Sequence, residues 1–266
     1  MISWIRTRFH PLWHLRKTKW FLALQRKYDF PITAKSGKIR YSVMCLRDFS
    51  HVIPHTDDES RTRECFVNIL KQFQPEYFLD VGANVGSYSW KAINQNPRLK
   101  TWLFEPDQTN VTLLHATIER NHLALACVYP VAVSAKKGQA EFLLDEASGA
   151  TGTINHSSDS FPLHSQYRMQ RRVQVDSDCL DSYVDELIGS KVVVKIDVEG
   201  AEDQVLSGAT RLLESVRPII LLECFNSDKM SILRNFNYRI HNLEEGCNWL
   251  AAPAEHWADI AACFAT

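Results

Sequence analysis

Between residues 76 and 235 the sequence alternates short apolar runs with amphipathic ones, and few folds accept that rhythm. "YFLDVG", "TWLFEP", "CVYPVAVS", "VVVKIDV" and "PIILLECF" are apolar enough to be strands buried on both faces. Helical patterns separate them. "NVGSYSWKAIN" is one, and "DQTNVTLLHATIERN" is another, with Asp107 as its N-cap and Val111, Leu114 and Ile118 on one face. A third carries Val205, Ala209, Leu212 and Leu213, and a fourth is expected near Asp228 to Asn235. Upstream, "DDESRTRECFVNILKQF" predicts a helix with Phe66, Ile69, Leu70 and Phe73 on its buried face and acids in its first turn. Strands joined by helices in this way form an α/β fold, a mainly parallel sheet with helices on both faces. "NYRIHNL" and "NWLAA" are expected to add strands at its far edge.

The chain has 266 residues, 45% of them hydrophobic, enough to fill the core of one large α/β domain. Its net charge of −1 argues against a nucleic-acid partner, but the charge is uneven. Residues 1–40 hold ten Lys or Arg against one acid, Asp29. We therefore divide the chain into a basic extension, residues 1–58, and a main domain, residues 59–266. In the extension, Pro11 favours a helix from about Leu12 to Tyr28, and a strand or hairpin arm is expected over 38–46. A helix docked on the main domain is the preferred reading. Peripheral contact with anionic lipid is the alternative. Seven cysteines without a C-x-x-C pair, no membrane-length apolar run and no secretory h-region suggest a cytoplasmic protein with reduced thiols. One segment breaks the alternation: residues 145–166 are polar, and with the stretch to 170 they form an inserted loop. The flanking "AEFLL" and "RRVQVD" are expected to pair as a hairpin.

In open α/β sheets, ligands bind outside the carboxyl ends of the strands. Those ends here are Asp80-Val81-Gly82, Glu105-Pro106, Ala132-Val133-Ser134, Asp197-Val198-Glu199 and Glu223-Cys224. Four of the five carry a carboxylate. In "DVGANVGSYSW", Gly82 and Gly86 let backbone approach a ligand before a helix N-terminus. Glu105 ends the next strand, where a carboxylate can bind both hydroxyls of a ribose. Asn84 stands where a dinucleotide fold would have its second glycine. A ligand with a ribose but no pyrophosphate, such as S-adenosylmethionine, suits this turn better.

"FLDVGANVGSYSW", "LFEPDQTNVTLL", "AVS" and above all "KIDVEGAE" followed by "VLSGA" resemble the FkbM-type S-adenosylmethionine-dependent methyltransferases. The resemblance covers residues 64 to about 225. It implies a class I, Rossmann-like methyltransferase fold of seven strands with an antiparallel last hairpin. It also implies O-methyl transfer to a sugar, glycan or secondary-metabolite hydroxyl. Carried onto this sequence, it puts Asp80, Gly82, Asn84 and Gly86 along the methionine part of the cofactor and Glu105, with Pro106 after it, at the ribose. Ala132, Val133 and Ser134 would lie beside the adenine, with Asp197 and Glu199 between cofactor and acceptor.

An alcohol is a weak nucleophile, and a carboxylate that takes its proton accelerates the reaction. Asp197 is the first candidate, Glu223 the second, and His156 on the inserted loop an outsider. Lys195 shares a strand face with Asp197 and is expected to keep it ionised. The competing role for Asp197 is helix N-cap. That role fits Glu202 and Asp203 better, since they fall in the first helical turn. A Mg²⁺ ion between Asp197 and Glu223 is the less favoured reading, and no metal site is assigned. An amine or carboxyl acceptor and a non-catalytic binding domain are the alternatives. Trp4, Trp13 and Trp20 suit either sugar stacking or core packing.

Overall fold

The computed structural model describes residues 18–48, 59–154, 170–243 and 246–264. Helix α1 (Lys19–Tyr28) starts at Thr18, whose hydroxyl accepts the Phe21 amide at 3.2 Å. It buries Phe21, Leu22 and Gln25 against the protein and leaves Lys19, Trp20 and Lys27 exposed. Strands β1 (Pro31–Ser36) and β2 (Ile39–Met44) form an antiparallel hairpin. Then come α2 (Ser60–Phe73), β3 (Tyr77–Val81), α3 (Ser87–Gln95), β4 (Lys100–Phe104), α4 (Gln108–Asn121) and β5 (Ala126–Tyr129). A smaller sheet follows, made of β6 (Ala132–Val133), β7 (Gly138–Asp145) and β8 (Gln170–Asp178). The chain continues through α5 (Val184–Leu187), β9 (Val192–Ile196), α6 (Glu202–Ser207), α7 (Thr210–Ser215) and β10 (Ile219–Glu223). It closes with α8 (Ile232–Asn235), β11 (Tyr238–Asn242), β12 (Asn248–Pro253) and α9 (Trp257–Ile260).

The main sheet has seven strands in the order β11-β12-β10-β9-β3-β4-β5. Only β12 runs against the others; it pairs antiparallel with both β10 and β11. This is the class I methyltransferase arrangement. The two last strands pair antiparallel and complete that side of the sheet, as expected, with β11 outermost. Every residue of β3 and β9 is buried, and the period of two sorts their side chains. Leu79, Val81, Val192, Val194 and Ile196 join α5, α6 and α7 in one cluster. Phe78 and Val193 join Phe66, Ile69, Leu70 and Phe73 of α2 in another. Each buried Leu, Ile, Val or Phe contributes roughly 1.5–3 kcal/mol. The hairpin shares a third cluster: Ile39, Tyr41 and Val43 pack with Val85, Trp90, Leu103, Leu113 and Leu114.

Four expectations need correction. "CVYPVAVS" is two strands, not one. Pro130 has no N–H to give the ladder, so β5 ends at Tyr129 and Ala132–Val133 pairs instead with Ser177–Asp178 of β8. The helix after Asp197 is broken into α6 and α7 at Gly208, where an added Cβ would lie 2.2 Å from the Ser134 carbonyl. The first turn of α2 carries no acid: Glu59 occupies the N-cap, and Asp57 and Asp58 lie outside the described residues. The expected helix from Leu12 to Tyr28 is not continuous: α1 begins at Lys19 with Thr18 extended as its N-cap, and residues 12–17 lie outside the described residues. The inserted hairpin forms as β7–β8, in the register Glu141↔Gln174. Residues 155–169 of its loop lie outside the described residues, as do His156, Trp4 and Trp13. Trp20 is 63% exposed, so it is not a core residue here. Among the described residues, no helix is long and apolar enough to cross a membrane.

Candidate active site

The carboxyl ends of β3, β4 and β9 open into a cleft continuous with solvent. Gly82, Asn84, Glu105, Pro106, Ala132, Val133, Asp197 and Glu199 line it, together with the inserted hairpin's Phe142, Leu144 and Ile154. Gly82 sits at φ 78 where two strand ends meet: a Cβ there would lie 1.9 Å from the Asp197 carbonyl. The Gly82 and Ala83 amides both donate to the Phe104 carbonyl at 3.0 Å, and the Asp197 amide donates to Val81 at 3.0 Å. These bonds set the β3, β4 and β9 loops relative to one another.

Asp80 and Gly86 act from behind the wall. The Asp80 carboxylate is buried and accepts from the Ser89 amide at 3.2 Å and its hydroxyl at 2.7 Å. It therefore binds the first turn of α3. Burial pushes it up to about 6, against the opposing pull of Lys195. Gly86, at φ 81, is the N-cap of α3, and its missing Cβ leaves room for the Trp90 indole. Both shape the turn that the cleft uses, but neither lines it.

Glu105 is 5% exposed. Its Oε2 accepts the Asn84 amide at 2.7 Å and its Oε1 the Asp107 amide at 2.9 Å. Burial, then the Asp107 charge, pushes it up to about 7. The Asn110 side chain also bonds this carboxylate, whose roughly four acceptor sites still leave room for a ribose hydroxyl. Asp107 also caps α4, accepting the Thr109 amide at 2.8 Å.

At the other end of the cleft, the Lys195 ammonium donates to Asp197 Oδ2 at 2.7 Å and lies 4.5 Å from the centre of the Tyr88 ring. Burial opposes the lysine's charge, but Asp197, Tyr88 and Asp80 outweigh it and hold its pKa above the usual value. The Tyr88 hydroxyl donates to Glu59 at 3.1 Å. Glu223 ends the neighbouring strand, where Leu222 pairs with Ile196. The Asp197 charge, with burial, pushes Glu223 up to about 8, and the Cys247 thiol donates to it at 3.3 Å. Asp197 and Glu199 line the cleft; Lys195 and Glu223 stand behind them.

Asp197 is not a helix cap, because the N-cap of α6 is Ala201. Glu202 does begin that helix, as expected, but does more. It is buried, accepts the Gly200 amide at 2.6 Å and pairs with Lys229 at 3.5 Å, clamping the turn after Glu199. Glu199 holds φ 55 in that turn. Among the described residues, no group of three or more His, Cys, Asp or Glu is placed to hold a metal ion.

The sequence reading missed Arg47 and Asp145. Arg47 is buried at the end of the β2 hairpin and pairs with Asp48 at 3.0 Å and Asp107 at 3.1 Å. Asp145 lines the cleft and pins its own loop by accepting the Ala147 amide at 3.0 Å and the Thr151 hydroxyl at 2.8 Å. A basic residue before Asp48 in the extension gave no spacing signal. D-x-x-S-G was visible at 145–149, but only as a polar loop.

A family model for the methyltransferase FkbM domain matches residues 80–240. The 2-O-methyltransferase NoeI of Sinorhizobium fredii is 24% identical over 179 residues, covering 65% of this chain and 72% of that one. Among solved structures, a methyltransferase from Geobacter sulfurreducens is 12% identical at a TM-score of 0.45, over 76% of this chain and 82% of that one. The precorrin-6y C5,15-methyltransferase of Geobacter metallireducens is 11% identical at 0.40, over 82% and 91%. The family match spans more than half the chain: this protein belongs to the FkbM methyltransferase family, and its methyl donor is S-adenosylmethionine.

Proposed function

We propose that the chain transfers the methyl group to a hydroxyl oxygen of a sugar, glycan or secondary-metabolite acceptor. The observation that carries this is Asp197, a carboxylate held by Lys195 on the cleft wall at the end of β9. The name of the NoeI relative, a 2-O-methyltransferase, supports oxygen as the acceptor atom. Partners other than the acceptor follow from charge alone. We expect no nucleic acid, with lipid contact through the basic N-terminus as the alternative to docking. The seven cysteines, none of them in a disulfide, support a cytoplasmic setting.

The cleft fits the donor. Asn84 Oδ1 is buried without a hydrogen-bond partner among the described residues, on the loop expected to meet the methionine half. It is an acceptor suited to an ammonium group. Glu105 offers two carboxylate oxygens to the ribose hydroxyls. Ala132, Val133, Phe142 and Leu144 give the apolar walls that an adenine ring needs. When bound, S-adenosylmethionine supplies an already activated methyl group.

What remains for the protein is alignment and removal of one proton. Lys195 takes Asp197 Oδ2 and fixes the carboxylate's direction. Asp197, with 29% of its side chain exposed, reaches the cleft and accepts the proton of the acceptor hydroxyl. Glu223, pushed up to about 8, already carries a proton at neutral pH and is the poorer base there. The test is incubation with the donor and a panel of glycans and hydroxylated small molecules, read by mass for an added CH₂. An alkali-stable ether product that Asp197→Asn fails to make supports the proposal. An alkali-labile ester, an N-methyl product or undiminished turnover by Asp197→Asn overturns it.

A further inference from the structure

The extension carries a buried cation that the methyl-transfer chemistry does not use. Arg47 is 7% exposed. The turn that carries it is preset: Asp29 accepts the Leu46 amide at 2.7 Å and the Arg47 amide at 2.9 Å, and Asp48 accepts the Met44 amide at 2.7 Å. From there the guanidinium reaches three places. Its Nε binds Asp48, one terminal nitrogen binds Asp107 at 3.1 Å, and the other binds the Asn110 side chain. Asp107 in turn gives its amide to Glu105. Gly149, on the loop that covers the cleft, stands at φ 62 against the guanidinium: a Cβ there would lie 2.6 Å from Arg47 Cζ. The same loop is held from α1, where Gln25 donates to the Glu146 carbonyl at 2.8 Å and Arg26 pairs with the Glu146 carboxylate at 2.5 Å.

We propose that Arg47 is a positioning residue for the cofactor: it fixes the Glu105–Asp107 loop and seats the Gly149 turn, making the N-terminal segment part of the cofactor site. This rests on the reading of Glu105 as the ribose ligand. A buried guanidinium with a fork of donors holds several acceptors in one geometry, which a lysine cannot do. It is also a positive charge paired with Asp48 and Asp107, and Glu105 adds to the field that holds it. The charged groups that face Glu105 are Asp107 on its own loop, Arg47 from the hairpin, Asp145 from the covering loop, and Asp197 and Glu199 across the cleft. Arg47 is the one cation among those groups, and the Glu105 charge acts on it.

A diol ligand favours ionised Glu105. With that carboxyl near 7, S-adenosylhomocysteine should bind about tenfold more weakly at pH 6 than at pH 8, since the competent fraction changes by that factor. The experiment is calorimetric titration with S-adenosylhomocysteine from pH 6 to 9. It compares the full chain with Arg47→Met/Asp48→Asn, which removes the cation together with one partner charge, and with Gly149→Ala. The double variant should bind at least tenfold more weakly at pH 7, with the pH midpoint moved upward. Gly149→Ala should weaken binding with the midpoint unmoved. A double variant that binds like the parent, or weakens with an unmoved midpoint, overturns the role of Arg47. If the double variant fails to fold, unchanged affinity in both Gly149→Ala and Arg47→Lys overturns it instead. A parent that ignores S-adenosylhomocysteine, or binds it without pH dependence, overturns the Glu105 reading and this one with it.

Discussion

Replacing Gly82 with alanine should separate the cofactor cleft from the rest of the fold. Two costs add at this position. An L-residue at φ 78 carries backbone strain of roughly 1–2 kcal/mol. The new Cβ would also lie 1.9 Å from the Asp197 carbonyl, and that neighbour is backbone that cannot rotate away. The β3 and β9 ends must part by about 1.5 Å to restore contact distance. That stretches the Asp197–Val81 and Gly82–Phe104 hydrogen bonds, each worth about 0.5–1.5 kcal/mol. A total near 3 kcal/mol should lower Tm by roughly 6–12 °C in a chain this size. The displaced groups, Gly82 and Asp197, both line the cleft, so S-adenosylhomocysteine affinity should fall by at least tenfold. Gly86→Ala is the control. It strains a similar φ, but its Cβ meets the Trp90 side chain behind the wall, so stability should fall more than affinity. Differential scanning calorimetry and titration of both variants decide. A Gly82→Ala protein with the parent's Tm and affinity would refute the claim that this approach builds the cleft.

Asp197→Asn should keep S-adenosylhomocysteine affinity within a few-fold and lose about 10²–10⁴ in turnover, measured once an acceptor is in hand. Without ligand, stability should fall as pH rises. Asp80, Glu105 and Glu223 are raised to about 6, 7 and 8, so the folded state holds more protons than the unfolded one. Their contribution is full below about pH 4.5 and is lost as pH rises through 6 to 8, which melts from pH 5 to 9 will show as a declining Tm. Glu223→Gln should flatten the decline above pH 7. Phe142→Ala should weaken adenosine binding more than methionine binding, because it removes one of the apolar side chains that line the cleft.

The strand-end carboxylates were legible because period and position agree: apolar runs ending in Asp80, Glu105, Asp197 and Glu223 require a parallel sheet with its ligand crevice at that end. What those carboxylates face was not legible. Asp80 turns to Ser89 and Glu105 to two backbone amides, and only the fold decides which acid keeps a free side. Pro130 was visible, but its effect depended on β8 offering another partner to Ala132. Gly208 was read through as helix because its close approach to Ser134 joins residues far apart in sequence. Arg47 escaped for the same reason: sixty residues separate it from Asp107, and no local pattern marks the pair.

The measurement that bears most directly on the account is thermal unfolding with S-adenosylhomocysteine, beside NAD and beside Glu105→Gln. At about 100 times its Kd, a ligand adds roughly 2.7 kcal/mol, or roughly 5–10 °C for this chain. The account predicts that shift with S-adenosylhomocysteine, none with NAD, and most of it lost in Glu105→Gln. A shift with NAD, or one that Glu105→Gln leaves intact, would contradict it.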